Sequence, residues 1–200
     1  MTKNERLIFD LRSQITRAAN QYTVNRDLVA AIIYDELTRR DWKDDAQDIE
    51  AGAFLMAQGV TKGVHLLALT AMRIEDQSFG ISQMNVGTVY ELVAAGLIPT
   101  PNGWTYNKLD QTLLLLLNKE MAPTLVAARL RQTIDYWKNW KKGGVDISNR
   151  PEILGTLYSK GLTGDNGVNP NPQPNARGLE IVKTMSAMKW IFKARSPDDF

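Results

Sequence analysis

The sequence predicts a mainly α fold with at most a small β element near residues 60–85. Three observations lead there. Apolar residues recur at spacings of three and four through most of the chain. Helix punctuation (Asn25, Pro123, Pro151, Gly96, Gly161) stands where those stripes begin and end. The stretch IEDQSFGISQMN, which fits no helical pattern, is short. Two hundred residues, 44% of them apolar and with no internal repeat, suit one domain over residues 1–200.

Leu7, Leu11, Ile15 and Ala18 or Ala19 share one face, so residues 4–20 read as a first amphipathic helix that packs without chemistry. The segment NRDLVAAIIYDE follows, with Asn25 as its cap and Leu28, Val29, Ile32, Ile33 and Leu37 on one apolar arc. After the solvated turn TRRDWKDD, the residues Trp42, Ala46, Ile49, Ala53 and Met56 recur at alternating spacings of four and three, a helix ending at Gly59. Residues 60–76 contain VHLLALTAM, a run too short for periodicity to separate helix from buried strands. Residues 85–95 resume as a helix with Val86, Val89, Leu92 and Val93 inward, and 99–104 form a Pro/Gly loop bearing Trp104.

Leu109 and the run from Leu113 to Leu117 are apolar all round, the pattern of a central helix buried on most sides. Pro123 opens the next helix, whose stripe of Val126, Leu130, Ile134 and Trp137 continues until Gly143 and Gly144. Ser148 or Asn149 caps another, started by Pro151, with Ile153, Leu154 and Leu157 inward and Tyr158 near its end. A proline- and asparagine-rich loop over 164–178 leads to a last helix with Ile181, Met185, Met188 and Phe192 inward.

Composition removes several chemistries. The chain has no cysteine, which excludes disulfides, zinc-thiolate sites and a cysteine nucleophile. His65 is the single histidine and lies in an apolar run, so a histidine metal cluster or a Ser-His-Asp triad is not expected, and no cofactor or metal is expected either. A net charge of +2 with mixed signs is too mild for a nucleic-acid partner, although it suits an anionic polymer such as a bacterial wall. No run reaches membrane-spanning length, and the charged helix after Met1 is not a Sec signal. Delivery by a non-Sec route to the periplasm or the cell exterior is the corresponding expectation.

Glu36 is the residue with chemical promise. Helix geometry points it near the middle of the apolar arc, with Asp35 at the edge and Tyr34 roughly opposite. An acid held there is harder to ionise and can still donate a proton near neutrality, as glycosidic cleavage requires. A glutamate that is only partly buried or ion-paired is the alternative reading of the helix taken alone.

Four segments in order then resemble one family. NRDLVAAIIYDE resembles a helix ending in a catalytic glutamate, SFGISQMNVGTV a small-x-Gly-Leu/Ile-x-Gln cleft motif, LVAARLRQTIDYWKN the helix after that motif, and ILGTLYSKG a Tyr-Asn-x-Gly motif. In this the chain resembles the lysozyme-like superfamily, in particular goose-type lysozymes and the catalytic domain of soluble lytic transglycosylases. The resemblance spans about residues 24–161, with its extension to the NPQPNARG loop left open; the C-terminal loop and helix of 164–195 complete the domain.

The resemblance implies a lysozyme-like helical domain that cleaves the β-1,4 bond between N-acetylmuramic acid and N-acetylglucosamine in peptidoglycan. Glu36 would be acid and then base; Ser78, Gly80, Gln83, Asn85 and Tyr158 would bind substrate, with Gly80 letting the backbone approach the sugar and the Tyr158 hydroxyl reaching the glutamate or the acetamido group. Asn85 reads equally as a helix cap and Tyr158 as a core residue. Ser82 and Ser159 depart from the family's pattern, which leaves the subgroup open between transglycosylase and muramidase. Asp76, or its neighbour Glu75, would position a water if it faced the cleft. Peptidoglycan strands are the implied partner, with a cognate inhibitor or delivery machinery left open, as in a phage lysis protein or an injected antibacterial effector.

Two rivals stand beside this reading. One is a lysozyme-like module that binds glycan or serves structure without cutting. The other is a nucleic-acid binder suggested by YWKNWKK, where Trp137 equally continues the core stripe and the lysines favour a helix C-terminus.

Overall fold

A computed structural model describes residues 1–58, 77–99, 109–141 and 144–194. The chain is mainly helical, as the spacing predicts. The ambiguous run over 60–76 with His65, Glu75 and Asp76, the loop around Trp104, Gly59 and Gly143 all lie outside the described residues, as does the side chain of Met56.

The first predicted helix is two, α1 (Lys3–Asp10) and α2 (Arg12–Tyr22), meeting at Leu11. Arg12 reaches back across the junction to donate Nη1 to the Phe9 carbonyl at 2.9 Å. Thr2 and Glu5 close a reciprocal capping box at the start.

Helix α3 (Arg26–Arg39) begins at Asn25, whose side chain accepts from the Asp27 and Leu28 amides. Its predicted one-sided arc is too narrow. Leu28 through Ile33 are all fully buried, including Ala30 and Ala31 on the flank away from the arc. Small residues there let α1, α2 and the later helices over residues 122–138, 151–160 and 176–187 all pack on this one helix.

The charged turn is shorter than expected, because α3 runs to Arg39 and α4 (Trp42–Gln58) starts almost at once. Arg40 is no solvated connector: its Nη2 lies 2.7 Å from both Asp45 and Asp48. The stripe predicted for α4 faces outward. Trp42 and Ile49 are 74% and 72% exposed, and Ala53 is exposed too. The helix is rotated by Asp48, held by Arg40 and accepting the Gly80 amide at 2.8 Å, so Ala51 and Leu55 point inward instead. A polar anchor outweighs the apolar stripe.

The small β element is an antiparallel pair, β1 (Ser78–Phe79) and β2 (Met84–Asn85), with Ser78 opposite Asn85 and Phe79 opposite Met84. The period of two sends Phe79 and Met84 into the core and leaves Ser78 and Asn85 on the other face. Helix α5 (Val86–Ala94) follows directly, capped by Asn85 through the Thr88 amide at 2.7 Å and ended by Gly96 at φ +68°.

Helix α6 (Leu109–Leu117) is not the central one. Leu114 is 57% exposed and only Thr112, Leu113 and Leu116 are buried. That place belongs with α3 to α7 (Ala122–Lys138), buried at Ala122, Pro123, Leu125 through Leu130, Thr133, Ile134 and Trp137. It ends at Asn139, short of the glycine pair. Gly144 still matters, since a β-carbon there would lie 2.0 Å from the Lys138 carbonyl.

Helix α8 (Pro151–Lys160) is preceded by Arg150 with no side-chain cap, so neither Ser148 nor Asn149 serves. Helix α9 (Ala176–Ala187) starts inside the predicted loop, capped by Asn175 through the Gly178 amide at 2.8 Å, and passes into a 3-10 turn over Met188–Phe192. Ile181 and Met188 are buried as expected, while Met185 and Phe192 are only partly so. Glycine lets α8 and α9 cross closely: a β-carbon on Gly178 would stand 2.2 Å from the Glu152 carbonyl and the Thr156 hydroxyl. This crossing brings Arg177 to α3.

Among the described residues no helix is long and apolar enough to cross a membrane.

Candidate functional site

A cavity of about 360 Å³ opens where α3, the β1–β2 hairpin, α5, α7, α8 and α9 converge. Of the residues singled out in the sequence, Glu36, Ser78, Gln83, Asn85 and Tyr158 line it. They come from three separated segments of the chain. Asp76 lies outside the described residues.

Glu36 is 8% exposed yet reaches the cavity wall. Burial pushes its carboxyl above the ordinary glutamate range. The Arg177 guanidinium, 2.7 Å away, pulls in the opposite direction without cancelling the effect. The Arg177 Nη2 is not aligned for a hydrogen bond to Glu36, so the contact is an ion pair. The better-aligned bond of this guanidinium goes to Asp35, Nε to Oδ2 at 2.7 Å. Asp35 is itself 8% exposed, rather than at a wet edge, and also accepts from Arg39 at 2.9 Å.

One arginine therefore ties the two neighbouring acids of α3 to α9. Asp35 does not line the cavity, which leaves Glu36 as its one acid among the described residues. The negative charge of Asp35 adds to the upward push on Glu36.

Where the resemblance implies a Tyr158 hydroxyl reaching the glutamate or the acetamido group, the hydroxyl makes no hydrogen bond to Glu36. It donates to the Ser82 carbonyl at 2.8 Å and so fastens the hairpin to the end of α8. Its own ionisation is pushed well above the usual tyrosine range, first by burial and then by the charge of Glu36. Replacing Tyr158 with Phe is expected to cost about 1 kcal/mol in thermal unfolding.

Gly80 has another function than the expected approach to a sugar. Its φ is +66°, and a β-carbon there would sit 1.9 Å from the Leu116 carbonyl, so it lets the hairpin turn press on the end of α6. Gly80→Ala is expected to cost about 2–4 kcal/mol in urea unfolding, from overpacking and a left-handed backbone together. Gln83 also has positive φ, +45°, with its Nε2 donating to the Gly80 carbonyl at 3.1 Å. Asn85 caps α5 through its Oδ1 and still lines the cavity, so cap and wall are one residue.

Sequence reasoning missed Arg177 and Arg129, the two cationic residues on the cavity wall among those described. Arg177 sits in a stretch that reads as loop; the signal available was Asn175, a capping residue three positions before Gly178. Arg129 hides inside the apolar stripe of α7, where it is 8% exposed. No group of three or more histidine, cysteine or acidic side chains suited to a metal occurs among the described residues.

No protein-family model matches the chain, and neither a curated protein nor a solved structure matches it.

Proposed function

We propose that the protein is a peptidoglycan-cleaving glycosidase of the lysozyme-like kind, a lytic transglycosylase or muramidase, with Glu36 as acid and then base. The observation that carries the reading is a nearly buried glutamate forming part of the wall of a cavity whose other polar lining is amide, hydroxyl and guanidinium groups, with Met84 and Gly161 beside them.

Protonated Glu36 donates to the glycosidic oxygen between N-acetylmuramic acid and N-acetylglucosamine as the bond to the muramyl C1 breaks. The positive charge that develops at C1 is met by the substrate's own acetamido oxygen, so a second protein carboxylate is not required. The ionised Glu36 then takes a proton either from the muramyl 6-hydroxyl, closing an anhydro ring, or from water. Ser78, Gln83 and Asn85 line one side of the cavity and are suited to hydroxyl and acetamido groups. The place of action is the bacterial cell wall.

The ion pair of Glu36 with Arg177 favours a second reading, a glycan-binding module in which both are structural. Digestion of purified peptidoglycan followed by mass spectrometry separates the two. Muropeptides newly ended at muramyl C1 carry the proposal, those lighter by one water meaning transglycosylation and reducing ends meaning hydrolysis. An intact polymer sinks it.

A further inference from the structure

We propose that Arg129 is the anion-reading residue of the cavity, pairing with a carboxylate that the muramyl unit carries at its O3 position; this rests on the glycan-cleaving reading above. The argument starts from how little of this guanidinium is used. Glu91 Oε2 at 2.9 Å and Gln132 Oε1 at 2.6 Å both accept from the same nitrogen, Nη1. Nε and Nη2 have no hydrogen-bond partner among the described residues.

A guanidinium with five N–H donors, 8% exposed and held through one nitrogen, is an incomplete arrangement for a purely structural ion pair. Its one anionic partner among the described residues is also weakly placed, because the Glu91 side chain is 54% exposed and screened by water. Arg129 nonetheless lines the same cavity as Glu36, and the buried Tyr158 hydroxyl lies within the electrostatic reach of both.

The other cation on the wall is already committed. Arg177 is shared between the buried Asp35 and Glu36, whereas Arg129 pairs with the exposed Glu91, so among the described residues Arg129 is the cavity cation more open to a ligand. A planar fork with free donors matches a carboxylate in geometry as well as charge. In a glycan of alternating N-acetylglucosamine and N-acetylmuramic acid, the hydroxyls and acetamides are neutral, and acidity enters only through the lactyl ether at O3. The carboxylate is the lactyl group itself where no peptide is attached, or the first acidic residue of the stem where one is. Arg129 thereby separates muramyl-bearing glycan from neutral polymers of N-acetylglucosamine.

The test is calorimetric binding to the Glu36→Gln protein of three tetrasaccharides of alternating sugars: the free lactyl acid, its primary amide, and a form bearing an Ala-Glu stem. At least one acidic form is expected to bind about tenfold more tightly than the amide, the free acid identifying the lactyl carboxylate and the stem-bearing form alone identifying the stem. The preference should vanish when Arg129→Gln is added and persist in part with Arg129→Lys. Equal binding of the amide and both acidic forms overturns the proposal by itself, with no variant needed, as does a preference that survives Arg129→Gln. Failure of all three ligands to bind overturns the glycan-cleaving reading as well.

Discussion

Glu36→Gln is expected to lower the rate of peptidoglycan solubilisation by at least about 10²–10⁴-fold while leaving the circular dichroism spectrum unchanged. The amide keeps the size and hydrogen-bonding reach of the acid and removes only the proton that is donated. Stability should move the other way. Because burial raises the folded-state pKa of Glu36, the native protein binds this proton more tightly than the unfolded chain does. Wild-type stability therefore falls, relative to the Gln variant, as pH rises from the ordinary glutamate range through the raised value. The Tm difference in favour of Glu36→Gln should widen over that interval. A variant that is both inactive and steadily less stable with rising pH would mean the site is held by the ion pair rather than strained by burial.

Arg177→Met should produce the second-largest effect, about 10–100-fold in kcat, because the side chain that aligns Glu36 is lost while the acid itself remains. The pH profile distinguishes alignment from simple damage. Arg177 is the largest influence holding the Glu36 pKa down, so without it the descending limb of the activity profile moves to higher pH. Arg177→Lys, which restores charge without the fork, should recover the wild-type limb more fully than the wild-type rate. Equal loss at every pH would reduce Arg177 to a packing residue between α9 and α3.

Burial at Glu36 was legible in the sequence, but for an incomplete reason. The apolar arc of α3 points the carboxyl inward, yet its seal comes from the α8 and α9 region, which reaches it only because Gly155 and Gly178 allow those helices to cross closely. No periodicity in either segment carries that information, since close approach is a property of the pair. Arg177 escaped notice for the same reason. The outward turn of Trp42 and Ile49 shows the converse: an apolar stripe at helical spacing is a statement about one helix, and the bonds of Asp48 to Arg40 and to the Gly80 amide set the rotation of α4.

Turn chemistry was read more faithfully where it is local. Asn25, Asn85 and Pro123 each stand at the helix start their side chains predict. Gly80 reads from the sequence as a point of close approach, but not of approach to what, and the backbone it presses on is that of Leu116. Asn85 fulfils two readings at once, which spacing alone treats as alternatives.

A ¹³C NMR titration of the Glu36 side-chain carboxyl tests the central claim, a proton donor kept partly dry at a glycan cleft. The account predicts a midpoint above the 4.5 of an unperturbed glutamate, rising further when a non-cleavable oligosaccharide displaces water from the cavity. A midpoint at or below that value, unmoved by the sugar, would contradict it.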